Sequence, residues 1–145
     1  MNSIIKTIQE VVLAVKDQDK AVAFFEEIFG LKFDQTWEMP ADNMRVKAAT
    51  IGETQFQVVA STSPDGLIAK FIQDRGEGIH HIAFKVDKLD DLILKLKERG
   101  IKLVPSEARM GRPGTSTRYI FTHPKFTFGL LIELLEVRET GRPAI

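Results

Sequence analysis

Cysteine is absent from the 145 residues, which excludes disulfides, thiolate metal sites and a cysteine nucleophile and suits a reducing cytoplasm. Charge of one sign is not in excess either, because 20 basic and 20 acidic residues cancel. No global field then draws the chain to nucleic acid or to a membrane surface, and an anionic ligand has to be met locally. Long apolar runs are missing as well, and the first ten positions hold a single lysine, so neither a membrane span nor a signal peptide is expected. What is present is enough for a core: 43% of the residues are apolar against 28% charged, and the length fits one domain. The expectation is one soluble, unprocessed, cytoplasmic domain over residues 1–145.

The chain contains itself twice. Ile8 to Val15 alternates in strand fashion, with Val11, Leu13 and Val15 on one face and Glu10, Val12 and Ala14 on the other. Asp17-Gln18-Asp19 then offers N-cap chemistry to a helix carrying Ala21, Phe24, Phe25 and Ile28 and stopping at Gly30. Ile79 to Val86 repeats the strand, Asp87 is expected to cap a helix carrying Leu89, Leu92, Ile93 and Leu96, and Gly100 stops it. Adding 71 to the first numbering carries Glu10 onto His81 and Val15 onto Val86. Further strands follow in each copy, Arg45 to Ile51 and Gln55 to Ala60 in the first, Thr117 to Thr122 and Gly129 to Val137 in the second. Gly52-Glu53-Thr54 and His123-Pro124-Lys125 mark the turns between them. Between the copies, Ser63-Pro64 reads as a cap with proline at the first helical position, followed by Ile68, Phe71 and Ile72. The fold class expected is α+β, two tandem βαβββ modules over roughly residues 5–62 and 77–138 joined by a short helix, with helices outside and a cleft between the inner faces.

Strand parity decides which polar side chains can enter that cleft, because helix-covered faces must be apolar. Glu10 and His81 pass this test. Gln57 and Glu133 occupy corresponding positions in the last strand of each copy, inside otherwise apolar runs, where burial is unfavourable unless hydrogen bonds or a metal compensate. Four polar groups at matched positions suggest one shared site, with one imidazole nitrogen and three oxygens for a divalent ion. That set is mostly hard and favours Mn, Co, Ni or Mg over a closed structural Zn site. An ordinary solvated edge residue is the competing account of Glu10. His80 points to the other face and reads as a structural histidine bonded to backbone, and His123 as turn architecture. Arg109-Met110-Gly111-Arg112-Pro113-Gly114 is a loop able to hold a carboxylate or phosphate, although a basic surface loop is the commoner outcome.

These segments resemble a known family over nearly the whole chain. EVVLAVKD from Glu10 to Asp17, KAVAFF from Lys20 to Phe25, IAKF from Ile68 to Phe71, GEGIHHIAF from Gly76 to Phe84, HPK from His123 to Lys125 and GLLIEL from Gly129 to Leu134 are similar to the methylmalonyl-CoA epimerases. That family sits in the vicinal-oxygen-chelate superfamily with glyoxalase I, extradiol dioxygenases and antibiotic-resistance proteins. The resemblance implies that His81 is a metal ligand, that Glu133 binds metal and acts as a base, that Gln57 is the ligand ending the first copy, and that Arg109, Gly111 and Gly114 belong to the substrate loop. The cofactor implied is a divalent ion (Co, Mn, Ni, Mg or Zn), the partner a small molecule such as a CoA thioester, and the assembly a homodimer. The chain departs from the family pattern twice. Glu10 stands where the family has its first histidine ligand, and Ala41-Asp42 where it has a second catalytic glutamate, leaving Asp42 as a shorter, displaced candidate base. Epimerisation of an acyl thioester through an enolate is the leading expectation. A glyoxalase-type lyase on a thiol-aldehyde adduct and a metal-free binding protein are the alternatives, the latter favoured by Glu10 and Ala41. A dioxygenase is disfavoured, since one histidine stands where two are needed.

Overall fold

In the computed structural model, which describes residues 3–111 and 114–137, the strand pattern near the N-terminus becomes β1 (Ile5–Ala14) and runs into α1 (Gln18–Phe29). Asp17 caps α1 as expected, its carboxylate accepting from Lys20 N at 3.0 Å. Gly30 ends the helix in the left-handed region at φ 72°, which a glycine adopts without the Cβ clash. There follow β2 (Gln35–Met39), a 3₁₀ turn (Pro40–Asp42), β3 (Met44–Ile51), β4 (Thr54–Ser61) and α2 (Leu67–Arg75). The second pass is β5 (Gly78–Val86), α3 (Leu89–Glu98), β6 (Leu103–Met110), β7 (Thr117–Thr122), a 3₁₀ turn (Pro124–Phe126) and β8 (Ile132–Val137). The α+β class with a βαβββ order read twice is therefore borne out.

Three local expectations are corrected. α2 begins after Gly66 and not at Ser63-Pro64, because Ser63 O takes the Gly66 N–H in a turn at 3.1 Å. The side-chain hydroxyl that serves the first turn of α2 comes from Ser61 in β4, accepting from Ala69 N at 2.7 Å; a Cβ on Gly66 would lie 2.5 Å from that oxygen, so only glycine fits. α3 is capped by Lys88, at φ 50°, and not by Asp87. Glu136 of β8 accepts from Leu89 N at 3.1 Å, while the Asp87 carboxylate pairs with Lys6 at 3.3 Å. β8 begins at Ile132 and not at Gly129, whose N–H donates to Pro124 O at 2.8 Å and whose φ is 87°.

The chain divides into two compact units, Glu10–His80 and Met1–Gln9 together with His81–Ile145. In the first, the strand order is β2-β3-β4-β1, with β1 parallel to β4 and the other pairs antiparallel. α1 covers one face of this sheet through Val15, Val22 and Val58, with Phe25, Phe33 and Phe56 packed alongside. The opposite face carries Val12, Ala14, Val46 and Val59, over which α2 lays Ile68 and Ile72. In the second unit the order is β5-β8-β7-β6, with β5 parallel to β8. α3 packs on one face, where Val86, Leu89, Leu103, Ile120 and Leu134 form the core. Leu89 is fully buried, worth about 2 kcal/mol in apolar transfer. On the same side Arg118 bridges Glu136 at 2.9 Å and Asp90 at 3.1 Å. Asp90 and then Glu136 raise its pKa and keep the guanidinium charged. Among the described residues no helix is long and apolar enough to cross a membrane.

Candidate active site

β5 and β8 run parallel with Ala83 opposite Glu133 and Phe84 opposite Leu134. Because side chains alternate along a strand, Phe84 and Leu134 go under α3 while His81, Ala83 and Glu133 occupy the face away from it. His81 and Glu133 are both 8% exposed, and their Nε2 and Oε1 atoms lie 2.9 Å apart. β7 adds Phe121 directly opposite Glu133. The Phe121 ring stands edge-on to the His81 imidazole at 5.2 Å, and Tyr119 stands edge-on to Phe121 at 5.7 Å. Burial in these apolar surroundings pushes the Glu133 carboxyl up from 4.5 to about 7. A carboxylate that releases its proton near neutrality, next to an imidazole, is matched to proton transfer at physiological pH. Tyr119 and Phe121 were not singled out from the sequence. Their alternation with the core residue Ile120 was the available signal.

The unit Glu10–His80 holds the matched positions. Val12 stands opposite Gln57 as Ala83 stands opposite Glu133, and Glu10 precedes Val12 by two residues as His81 precedes Ala83. The correspondence read from the numbering is thus present in the ladders of each unit. Glu10 is half-buried and pairs in register with Gln55. Gln57 is 5% exposed, and its Nε2 donates to Gln55 Oε1 at 2.9 Å, while Gln55 Nε2 donates to Gln35 Oε1 at 3.3 Å. Gln35 and Gln55 are further polar residues that the sequence reading passed over. Asp42 lies half-buried at the end of the 3₁₀ turn between β2 and β3, beside exposed Ala41. His80 packs its ring edge-on against Phe71 at 4.9 Å. A groove of about 690 Å³ in this unit is lined by Val15, Lys16, Ser61, Ser63, Ile72 and Gln73 among others, and includes none of the candidate residues.

Arg109 is exposed near the end of β6, opposite Tyr119 in register. Gly111 donates its N–H to Thr117 O at 2.9 Å, and Thr117 comes too close to leave space for a Cβ there. Gly114 has φ 79°, the left-handed region again. Arg112 and Pro113 of the same loop lie outside the described residues. His123 serves its turn, Nδ1 accepting from Lys125 N at 3.1 Å.

The chemistry of the buried pair fits a divalent ion. An imidazole nitrogen and a carboxylate oxygen 2.9 Å apart are both common ligands for Mn, Co, Ni or Zn, and a carboxyl that burial makes reluctant to ionise is relieved when a cation takes the place of its proton.

Comparison with known proteins adds a second, independent line. The family model of the Glyoxalase/Bleomycin resistance protein/Dioxygenase superfamily matches residues 9–121. The mitochondrial methylmalonyl-CoA epimerase of Homo sapiens is 31% identical over 128 residues, which is 88% of this chain and 72% of that protein. The crystal structure of methylmalonyl-CoA epimerase from Mycobacterium tuberculosis superposes with a TM-score of 0.87 at 29% identity, covering 99% of this chain and 96% of that one. A methylmalonyl-CoA epimerase in complex with methylmalonyl-CoA and NH4+ superposes with a TM-score of 0.84 at 26% identity, covering 93% and 96%. With its βαβββ elements repeated and a matched polar position in each copy, the chain belongs to the Glyoxalase/Bleomycin resistance protein/Dioxygenase superfamily and has the fold of its methylmalonyl-CoA epimerases.

Proposed function

We infer that this chain is an acyl-CoA epimerase of the methylmalonyl-CoA type, with Glu133 as a base. The observation that carries the reading is the Glu133 carboxyl buried against His81, with its proton affinity raised toward neutrality. The likeness to epimerases, one of them bound to methylmalonyl-CoA, supports the substrate class.

The reacting hydrogen lies on the carbon between a thioester and a carboxylate. Glu133 takes that proton, the electron pair moves onto the thioester oxygen to give an enolate, and return of a proton to the opposite face inverts the centre. Glu10, Gln57, His81 and Glu133 are the residues assigned to a divalent ion, on the strength of their equivalent positions in the two ladders. A divalent ion held by these residues would supply positive charge that stabilises the developing enolate. Asp42 is assigned to the opposite face of the carbon, and Arg109 with the backbone around Gly111 and Gly114 to the substrate carboxylate or phosphate. Phe121, opposite Glu133 in register, and Tyr119, edge-on to Phe121, are assigned to shielding Glu133 from water. In this reading the two units form one functional domain and two chains form a homodimer.

Washout of the acidic hydrogen of a malonyl-type thioester into deuterated water tests the reading. Exchange that needs both Glu133 and a divalent ion is the expected result. A lyase acting on a thiol-aldehyde adduct would use the same base, and Glu133, the one buried carboxylate on this face among the described residues, keeps it as the second reading. Exchange with such adducts and none with thioesters would select it. Absence of exchange with both substrates leaves a binding protein.

A further inference from the structure

Among the described residues, three glutamines, two on β4 and one on β2 across the intervening β3, are joined in one direction. Gln57 Nε2 donates to Gln55 Oε1 at 2.9 Å, and Gln55 Nε2 donates to Gln35 Oε1 at 3.3 Å. Gln55 and Gln57 are two apart on β4 and so share a face. Gln35 on β2 stands in the same cross-strand row as Gln57, separated from it by Ala48. Ala48 is fully buried, and its methyl group leaves room for the longer side chains to meet across it.

The direction matters because the two ends of an amide are not equivalent. The carbonyl oxygen can ligate a cation and the NH₂ group cannot. A glutamine held only by packing has little to choose between its two flips. Gln57 is 5% exposed, and its NH₂ is engaged by Gln55, which points its oxygen the other way. Gln55 in turn can offer its oxygen to Gln57 because its own NH₂ is directed to Gln35.

We propose that Gln55, braced by Gln35, is a positioning residue that turns the carbonyl oxygen of Gln57 toward a bound divalent cation. This rests on the reading of Gln57 as a ligand. The contact is of the kind that orients ligands from behind and whose loss lowers metal affinity by roughly 10–100-fold.

Two substitutions separate the directions. Gln55→Met keeps the length of the side chain and can neither accept nor donate strongly. Gln55→Glu can only accept, and so still engages the Gln57 NH₂. Mn²⁺ is titrated calorimetrically into chelator-treated protein, and the Gln57 side-chain amide protons are followed by NMR in the metal-free protein. Gln55→Met is expected to weaken Mn²⁺ binding by about 10-fold or more and to erase the hydrogen-bonded Gln57 amide signal. Gln55→Glu is expected to keep that signal and at least the parent affinity. Should Gln55→Met disturb folding, Gln35→Met, at a half-buried position on β2, is expected to weaken binding in the same sense by a smaller factor. Parent-like Mn²⁺ affinity in Gln55→Met overturns the proposal alone, as does loss of binding in Gln55→Glu, which would mean that the chain of amides runs the other way. A parent protein that takes up no Mn²⁺ overturns the metal reading and this proposal together.

Discussion

Replacing Glu133 by glutamine separates what this residue does for stability from what it does for chemistry. The carboxyl has its pKa raised from 4.5 to about 7 by burial. The folded protein therefore holds this proton more tightly than the unfolded chain, and the associated stability is fully present below about 4.5 and lost as pH rises to about 7. A difference of roughly 2.5 units corresponds to about 3 kcal/mol at most, an upper bound because a protonated His81 at 2.9 Å would recover part of it. Glutamine has the same shape and keeps an oxygen for His81, but carries no charge to desolvate. Metal-free Glu133→Gln is thus expected to be more stable than the parent at pH 8 by up to about 3 kcal/mol, and nearly equal to it at pH 4. The same variant is expected to lose deuterium exchange by on the order of 10²–10⁴-fold, the usual contribution of a positioned base. Urea denaturation in the presence of a chelator at several pH values measures the first effect, and proton NMR of a malonyl-type thioester in deuterated water the second. Subtracting the variant from the parent cancels the titrating groups that do not contact residue 133. A parent-minus-variant difference that does not change between pH 4 and pH 8 would refute the burial argument, and exchange at the parent rate would refute the assignment of the base.

Three further outcomes are expected. Divalent-ion affinity of the parent rises with pH through about 7, since the ion must displace the proton of Glu133; a calorimetric profile flat across that range would count against Glu133 as a ligand. Asp42→Ala leaves deuterium exchange intact and removes inversion, because one base can take and return a proton on one face; a chiral assay showing inversion at the parent rate would exclude Asp42 from the opposite face. Arg118→Met destabilises the protein by roughly 2–3 kcal/mol by leaving Glu136 poorly paired, with exchange activity of the folded protein unchanged, since Arg118 lies on the α3 side with Glu136 and Asp90. Denaturant melts and the exchange assay report the two parts.

Much of the first level of organisation was legible because its causes are local. Asp17 and Gly30 start and stop α1 within one helical turn of themselves. The alternation in Ile79 to Val86 places His81 and Ala83 together wherever the strand goes. β2 and β6 were harder to read as individual strands. In β2 the inward residues Gln35, Trp37 and Met39 are only half-buried, and in β6 Leu103 alone is buried, so the apolar alternation is thin. The helix starts that went astray did so for one reason. Ser63 and Asp87 are good caps by residue type, yet the first turns of α2 and α3 are served by Ser61 and Glu136, side chains delivered from strands.

The sequence by itself determined the duplication, the strand and helix that open each copy, its last two strands, the polar position in each copy and the parity that assigns Glu10, Gln57, His81 and Glu133 to faces free of α1 and α3. Only the tertiary structure decided that His81 and Glu133, 52 residues apart, meet at 2.9 Å, that the Glu133 proton is held up to about 7, and that Gln57 is engaged by Gln55. Periodicity and capping depend on neighbours along the chain, so they can be read from residue types. Register and burial depend on which strand lies alongside, and shifting one by a single residue would turn every one of these side chains to the opposite face.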